Sequence, residues 1–403
     1  MKKNEALKLL ILFGLISLFG DIVYEAARSI NGQYLQILGA NAALVGLIVG
    51  FGEFFGYGFR LLSGYFSDRS RAYWFFTIFG YALLVSIPLL ALAGIWQIAA
   101  FLIISERIGK AIRTPARDTL ISNAAKTLGT GIGFGIHEFL DQIGALLGPL
   151  LITFFFLINA GGSKNVGEYK NAYNLLWLPF IALMIILFVA FFLYRNLQKD
   201  EKISAEDRED KTPSKLPKIF FYYLVFTFMT TIGFISFAIF GYHFKIKNVL
   251  SDAEIPFFYG IAMIIDALTA ISIGKFYDFL KEKRKNEKAG LLTLIFIPIT
   301  TLLVPFFIFS ENISFIFLGV FIWGIALGAH ETIMRAAIAD ISSMGIRGTA
   351  YGIFTTIYGI ATFLSGAIIG FLYDLSFPFL LIFVVITQFS AFIIFLIMKG
   401  AMD

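Results

Sequence analysis

An all-α membrane protein is the fold class the sequence predicts: twelve transmembrane helices in two six-helix repeats, with both termini cytoplasmic. Three observations lead there. Of 403 residues, 58% are apolar and 15% charged, where soluble domains hold roughly 45–50% and about 25%. The apolar residues form long runs instead of alternating, which excludes a β-barrel. The two halves of the chain also echo each other. A span takes about 20 apolar residues, so twelve use about 240 and leave about 160 for loops, too few for a single-pass receptor with a large soluble domain. The absence of Cys removes disulfides, thiolate metal sites and Cys nucleophiles.

Taken in order, the first six spans lie near Lys8–Ile30, Ala42–Ser63, Tyr73–Gly94, Trp96–Ile112, Gly131–Asn159 and Ala172–Tyr194. The second six lie near Lys218–Tyr242, Ile255–Phe276, Leu291–Phe309, Ile313–Ile333, Gly348–Leu372 and Pro378–Met398. Polar residues interrupt the inner ends of the fourth and tenth. The basic, then apolar, start has no small-residue cleavage site before Asp21 and reads as an uncleaved first helix, not a signal peptide. Of 32 basic residues, four lie in outer loops (Lys164, Lys170, Lys245, Lys247) and four within spans (Arg28, Arg60, Arg107, Lys110); the remaining 24 fall on one side. That asymmetry places both termini in the cytoplasm, and the expected location is the cytoplasmic (inner) membrane. The net charge of +5 is then a topology signal and not a nucleic-acid footprint.

Residues 196–217 mix both charge signs, carry Pro213 and Pro217, and read as a cytoplasmic linker. The linker divides a six-helix bundle at 1–195 from another at 218–403. Gly64 and Asp68 follow the second span, and Gly274 and Asp278 follow the eighth. The segment GTxxG opens the fifth span at Gly129 and the eleventh at Gly348. Parallel six-helix repeats about a membrane-normal axis suit alternating access around a central site.

These residues resemble the major facilitator superfamily over essentially the whole chain. Gly64, Asp68 and Arg69 fit its loop pattern G-x-x-x-D-R-x-G-R-R, although Arg71 stands at the second glycine and the trailing basic pair is missing. Gly135, Gly144, Gly148 and Pro149 fit its antiporter signature in the fifth span, with Ile152-Thr153 in place of the closing glycines. Arg107 is the expected arginine of the fourth span, followed by Ala111 where a glycine is usual. ERIGKAIRTPARD, GIHEFLDQIGALLGP and RGTAYGIF are similar to a bacterial subgroup of efflux permeases. The resemblance implies a gating role for Gly64, Asp68, Arg69, Gly274, Asp278, Gly144, Gly148 and Pro149. It sets Asp68 opposite the amino end of the eleventh span, here Gly348 after Arg347. A charge at a helix start is worth roughly 0.3–1 kcal/mol, enough to bias an equilibrium without locking it.

Within the spans the charges are unevenly distributed. Spans 3, 6, 9 and 12 hold none in their interiors, matching the outer scaffold of the superfamily, and spans 7 and 11 almost none. The acids are Asp21, Glu25, Glu53, Glu106, Glu138, Asp141, Asp266 and Glu331; the bases are Arg28, Arg60, Arg107 and Lys110. At about 2.5–3.5 kcal/mol each at mid-bilayer, twelve unpaired charges would cost roughly 30–40 kcal/mol, more than the ~5–15 kcal/mol stability of an ordinary fold. Most are therefore paired, protonated or facing water. Asp21, Glu25 and Arg28 form one stripe, and Glu106, Lys110 and Arg113 another. Glu53, Glu106, Asp141 and Asp266 fall near mid-bilayer, with Arg107 the natural counter-ion.

Proton coupling is expected at Asp141 first, paired with Glu138, then at Glu53 near the first-span acids, Asp21 and Glu25. Structural ion pairing is the alternative for each. Glu138, Glu106, Arg107, Lys110, Arg28, Asp266, Glu331 and Tyr358 are expected to line a substrate cavity. Phe226, Phe228, Phe234, Phe237, Tyr242, Phe354, Tyr358 and Phe363 form either an aromatic cavity wall or ordinary core. His137 and His330 are packing residues or, as an alternative, metal ligands beside Glu138 and Glu331. Gly46, Gly50, Gly52, Gly56, Gly366 and Gly370 make small-residue faces for close packing, and Pro149 should bend its helix.

No phosphate-binding or cofactor motif occurs, so the expectation is a non-enzyme without cofactor, driven by a proton gradient. The function expected is a proton-coupled exporter of a small cationic or amphipathic compound. Alternatives are a proton symporter for an anionic solute held by Arg28, Arg107 and Lys110, a divalent metal exporter, or a non-transporting membrane sensor. The expected partners are the bilayer, protons and a small-molecule substrate, with no nucleic acid, and the chain acts as a monomer.

Overall fold

The computed structural model describes residues 3–125, 130–159, 165–195, 216–343 and 346–400. Gly129, Lys164 and nearly all of the predicted linker lie outside the described residues. Those described are helical throughout, joined by short turns. The amino-terminal part runs α1 (Lys3–Ile37), α2 (Ala42–Ser70), α3 (Tyr73–Ala82), α4 (Ser86–Leu89), α5 (Trp96–Ala125), α6 (Thr130–Ile158), α7 (Val166–Leu175) and α8 (Trp177–Tyr194). The rest runs α9 (Lys218–Ile232), α10 (Phe237–Lys247), α11 (Glu254–Arg284), α12 (Phe296–Ile308), α13 (Ile313–Ile341), α14 (Arg347–Leu375) and α15 (Phe377–Gly400).

Local chemistry sets several of the helix starts. Asn165 and Glu168 close a capping box on α7, and Ser251 with Glu254 does the same before α11. Turns take the left-handed conformation at Gly39 (φ 91°) and Asn248 (φ 52°), residue types that tolerate it.

Among the described residues, eleven stretches are long and apolar enough to cross a membrane. They account for every predicted span except the fourth. That stretch is α5, a 30-residue helix, and its first 18 residues already hold Glu106, Arg107, Lys110 and Arg113, so composition alone does not mark it. The spans α8 and α15, uncharged in their interiors, carry lipid-suited surfaces. Leu178, Ile181, Ile185 and Phe192 of α8 are exposed, as are Ile382, Ile386, Phe389 and Ile393 of α15. In water such faces would be an aggregation hazard; in a bilayer they are solvated.

The helices group into two compact units. The first comprises Met1–Ala40, Phe51–Ser204 and Phe244–Gly260; the second comprises Asn41–Gly50, Ala205–His243 and Ile261–Asp403. Each sequence half thus contributes one short stretch to the unit built mainly from the other. In the first unit α6 lies directly on α1. A methyl at Gly144 would strike the Leu18 carbonyl oxygen, and one at Gly148 would come within 2.7 Å of the Ile22 oxygen. In the second unit the start of α2 meets α14 backbone to backbone, where Gly46 and Gly366 each sit against the other's carbonyl. The repeat glycines are less demanding. A Cβ at Gly64 would stand 3.5 Å from Pro115, and one at Gly274 3.6 Å from Thr332, ordinary contacts, so crowding does not require glycine at either.

The core of the second unit absorbs much of the expected aromatic wall. Phe226 is fully buried and Phe354 is 5% exposed, both inside a cluster with Tyr223, Met334 and Phe395. Phe237 is buried as well, whereas Phe234, Tyr358 and Phe363 stay half-buried. Aromatic spacing along a helix does not reveal which rings a neighbouring helix will cover.

Candidate functional site

The first unit gathers charged side chains from α1, α2, α5 and α6 into one buried network. Glu25 and Arg28, three apart on α1, pair at 3.6 Å. Arg28 also reaches Glu53 of α2 at 3.3 Å. The same Glu53 oxygen lies 3.2 Å from Arg107 of α5, so one carboxylate bridges two guanidinium groups. Glu106 lies 3.5 Å from Arg107 and 3.8 Å from Arg113. Glu106, Arg107 and Arg113 are between 2% and 5% exposed, and charges at such depth persist only when paired. Of the four acids expected near mid-bilayer, Arg107 pairs with Glu53 and Glu106.

The centre of the network is Tyr24, which the sequence reading did not single out. Its hydroxyl accepts a hydrogen bond from Arg107. Lys110 stands 4.1 Å from its ring centroid, Arg107 4.5 Å and Arg28 5.4 Å. Three cations around one ring exploit its negative π face. A signal existed: Tyr24 lies one turn from both Arg28 and Gly20 on the face that carries Asp21. Tyr259, whose hydroxyl donates to Glu25, had no such local signal, because it comes from the start of α11, 234 positions away.

Asp141 of α6 accepts a hydrogen bond from Ser17 of α1, and Asp21, one turn further along α1, stands against Gly144, three residues from Asp141, so the two carboxyls act on each other. The charges of Lys110 and Arg117 act on the same pair. This corrects the expected acid partner of Asp141. Glu138 points to the exposed side of α6 and accepts from Gln142 at 3.2 Å, because α6 meets α1 along Asp141, Gly144 and Gly148, and residue 138 is turned away from that face. Glu53 likewise meets the cations of α1 and α5, not the acids of α1.

Charge counting becomes sharp once positions are known. Asp21, Glu25, Glu53, Glu106, Asp118 and Asp141 face Arg28, Arg107, Lys110, Arg113 and Arg117, the last paired with Asp118 at 2.9 Å; six acids less five bases leaves one carboxyl in surplus. Two neighbouring carboxyls repel each other unless one holds a proton, and Asp21 and Asp141 are the acids brought together where α1 meets α6.

The remaining predicted residues lie elsewhere. Asp266 of α11 is 6% exposed, its carboxyl against Gly328 of α13, while Glu331 is exposed. His330 packs on Phe234 and Tyr358, and His137 is buried in the first unit. Among the described residues no group of three or more His, Cys, Asp and Glu side chains is placed to hold a metal. Asp68 accepts from Tyr73 at 3.1 Å, and Arg69 donates to Tyr65. Asp278 lines a cavity of about 200 Å³ with Gly274, Tyr277, Thr332 and the Lys281–Asp340 ion pair. Arg347, at the start of α14, donates to the Ala339 carbonyl.

The family profile described as Major Facilitator Superfamily matches residues 11–366. The chain belongs to that superfamily. It is 38% identical over 395 residues to an uncharacterized protein of Mycobacterium tuberculosis, covering 96% of this chain and 92% of the relative. It is 27% identical to an uncharacterized MFS-type transporter of Methanocaldococcus jannaschii, covering 93% and 90%. Solved structures share the fold at low identity. A mutant of the nucleoside transporter NupG aligns with a TM-score of 0.74 at 13% identity, covering 96% of this chain and 99% of that one. A POT family transporter in complex with 5-aminolevulinic acid aligns at 0.73 and 12%, covering 98% and 96%. This facilitator is therefore a multi-pass membrane transporter with the fold of its superfamily.

Proposed function

We propose that this facilitator is a proton-coupled secondary active transporter, exporting a small cationic or amphipathic compound in exchange for protons by alternating access. The observation that carries the reading is the neighbouring pair of carboxyls, Asp21 and Asp141, beside a network whose other acids are matched by bases. With a proton on one of them the pair bears one negative charge; without it, two. A cationic group and a proton then compete for the same surplus charge, which gives exchange without any further device. Binding shifts the transporter between states only through this differential affinity. The chain crosses the cytoplasmic membrane twelve times in this reading, with both termini inside. The bundles at 1–195 and 218–403, joined by the 196–217 linker, rock about a central site, and the monomer is the working unit.

A second reading has its own observation. Arg28, Arg107 and Lys110 surround one ring, an arrangement that would also hold an anionic solute carried inward with a proton.

Purified protein in liposomes with an imposed pH gradient separates the readings. One pH unit supplies about 1.4 kcal/mol per proton. Exchange of one proton for one monovalent cation moves no net charge, so that gradient supports a concentration ratio of about tenfold and a membrane potential adds nothing. Cationic compounds should release protons on addition and accumulate against their gradient. Asp141→Asn and Asp21→Asn should lose accumulation yet keep exchange of labelled for unlabelled substrate. Anions accumulating in place of cations would establish the second reading. Uphill accumulation surviving both substitutions would reject proton coupling at this pair.

A further inference from the structure

In the second unit one apolar stretch is built as two helices. Residues 218–247 form a continuous 30-residue run apolar enough to span a membrane, yet α9 stops at Ile232 and α10 begins at Phe237. Residues 233–236 are not helical. Backbone released at membrane depth has to be satisfied by protein, and here it is. Ser365 of α14 donates to the Phe234 carbonyl at 2.6 Å, and Trp323 of α13 donates to the Ile235 carbonyl at 2.9 Å. Gln388 of α15 donates to the Thr230 carbonyl at 3.0 Å. Three neighbouring helices each supply a polar side chain to the same break, so the break is a built feature of the unit. Interrupted helices are tolerated in membranes where they serve a binding position.

The break turns Phe234 onto His330 of α13, with ring centroids 4.8 Å apart. Trp323 stacks on Phe234 at 5.9 Å, and Tyr358 of α14 lies 6.4 Å from the imidazole. His330 is 2% exposed, and neither of its ring nitrogens has a hydrogen-bond partner. The hydroxyls of Thr231 and Ser236, which flank the break, lack partners too. Buried polar groups are nearly always satisfied, and a neutral imidazole needs one donor and one acceptor at once. Phe234 and Tyr358, the rings beside the imidazole, remain half-buried.

We infer that the helix break and His330 form a binding subsite for a flat, uncharged ring that both donates and accepts a hydrogen bond. The ring stacks on Phe234 and Tyr358, and its donor and acceptor meet His330. The rings and hydroxyls that make the subsite are themselves uncharged, which disfavours a charged group there. The inference rests on the chain being a transporter and is independent of proton coupling.

The test uses the full chain in lipid nanodiscs without any gradient. Replacing Trp74, Trp96 and Trp177 with Phe leaves Trp323, at the subsite itself, as the sole tryptophan of the four in the chain. Benzimidazole supplies the flat ring with one donor and one acceptor; indane has the same outline without them. Benzimidazole should change Trp323 emission saturably, and indane should bind at least tenfold more weakly. His330→Phe should lower benzimidazole affinity at least tenfold while leaving indane unchanged, and His330→Gln, which keeps a donor and an acceptor, should retain most of it. Equal binding of benzimidazole and indane, no saturable change with benzimidazole, or full affinity in His330→Phe would overturn the subsite. Should His330→Phe not fold, the benzimidazole–indane comparison on the otherwise intact chain decides the matter. Because no gradient is present, failure here leaves the Asp21–Asp141 reading standing, and failure of that reading leaves this one.

Discussion

Substituting Glu53 with Gln removes one carboxylate from between two guanidinium groups, and the two losses should be very unequal. At about 3.2 Å and an effective dielectric of about 20, each pair has a gross attraction of about 5 kcal/mol. Much of this is offset by desolvation, and the measurable effect is the penalty on whichever charge is stranded. The Arg107 side chain is 6% exposed and that of Arg28 is 32% exposed. Stranding a buried charge costs about 3–5 kcal/mol, while a pair with one well-solvated partner is worth about 0–1 kcal/mol. Arg107 keeps Glu106 and the Tyr24 hydroxyl, so Glu53→Gln should cost about 3 kcal/mol and Arg28→Gln less than about 1. Removing both buried charges, in Glu53→Gln with Arg107→Gln, should cost less than the sum of the single losses by roughly 1–3 kcal/mol. For a cooperative unit of about 200 residues, 1 kcal/mol shifts the melting midpoint by roughly 2–4 °C. Glu53→Gln should therefore melt roughly 6–12 °C lower in detergent micelles, and Arg28→Gln no more than about 4 °C lower. The reasoning fails if Arg28→Gln is as damaging as Glu53→Gln, or if the Glu53 and Arg107 losses simply add.

Further expectations concern packing and capping. Gly46→Ala drives a methyl into the Gly366 carbonyl, whereas a methyl at Gly58 meets nothing within 4 Å. Gly46→Ala should cost about 1–3 kcal/mol, and Gly58→Ala should be neutral or stabilising by up to about 1 kcal/mol; equal melting midpoints would show that α2 and α14 are not in contact there. Asp374 accepts from the Ala42 and Ala43 amides at 3.1 and 2.8 Å, capping α2 from α14. Asp374→Ala should cost about 1–2 kcal/mol and Asp374→Asn less, since a neutral cap keeps the hydrogen bond; faster amide exchange at residues 42–45 measured by mass spectrometry checks it, and unchanged exchange would refute the cap.

Much of this arrangement was legible in the linear chain. Hydropathy runs gave the spans because a bilayer imposes one length on every helix, and α5 escaped a purely apolar criterion because its chemistry outweighs its hydrophobicity. The stripe Asp21–Glu25–Arg28 was readable because helical period is local. The partner of Asp141 was not. Positions 138 and 141 look equally good on a helical projection, and only the contact of α6 with α1 at Gly144 and Gly148 turns one inward and the other out. The helix break at 233–236 was hidden for a similar reason. Gly233 alone is a weak signal, and the side chains that stabilise the break, Trp323, Ser365 and Gln388, come from three other helices.

Residence in a bilayer and the concentration of charge in a few spans were determined by sequence alone, because each depends on composition or on spacing within a single helix. Tertiary structure decided which acid faces which base, that Tyr24 stands amid three cations, and that each unit takes a short stretch from the other half of the chain. Those outcomes depend on how near two backbones can come. That distance is set jointly by small residues on both helices, and no periodicity within one of them encodes it.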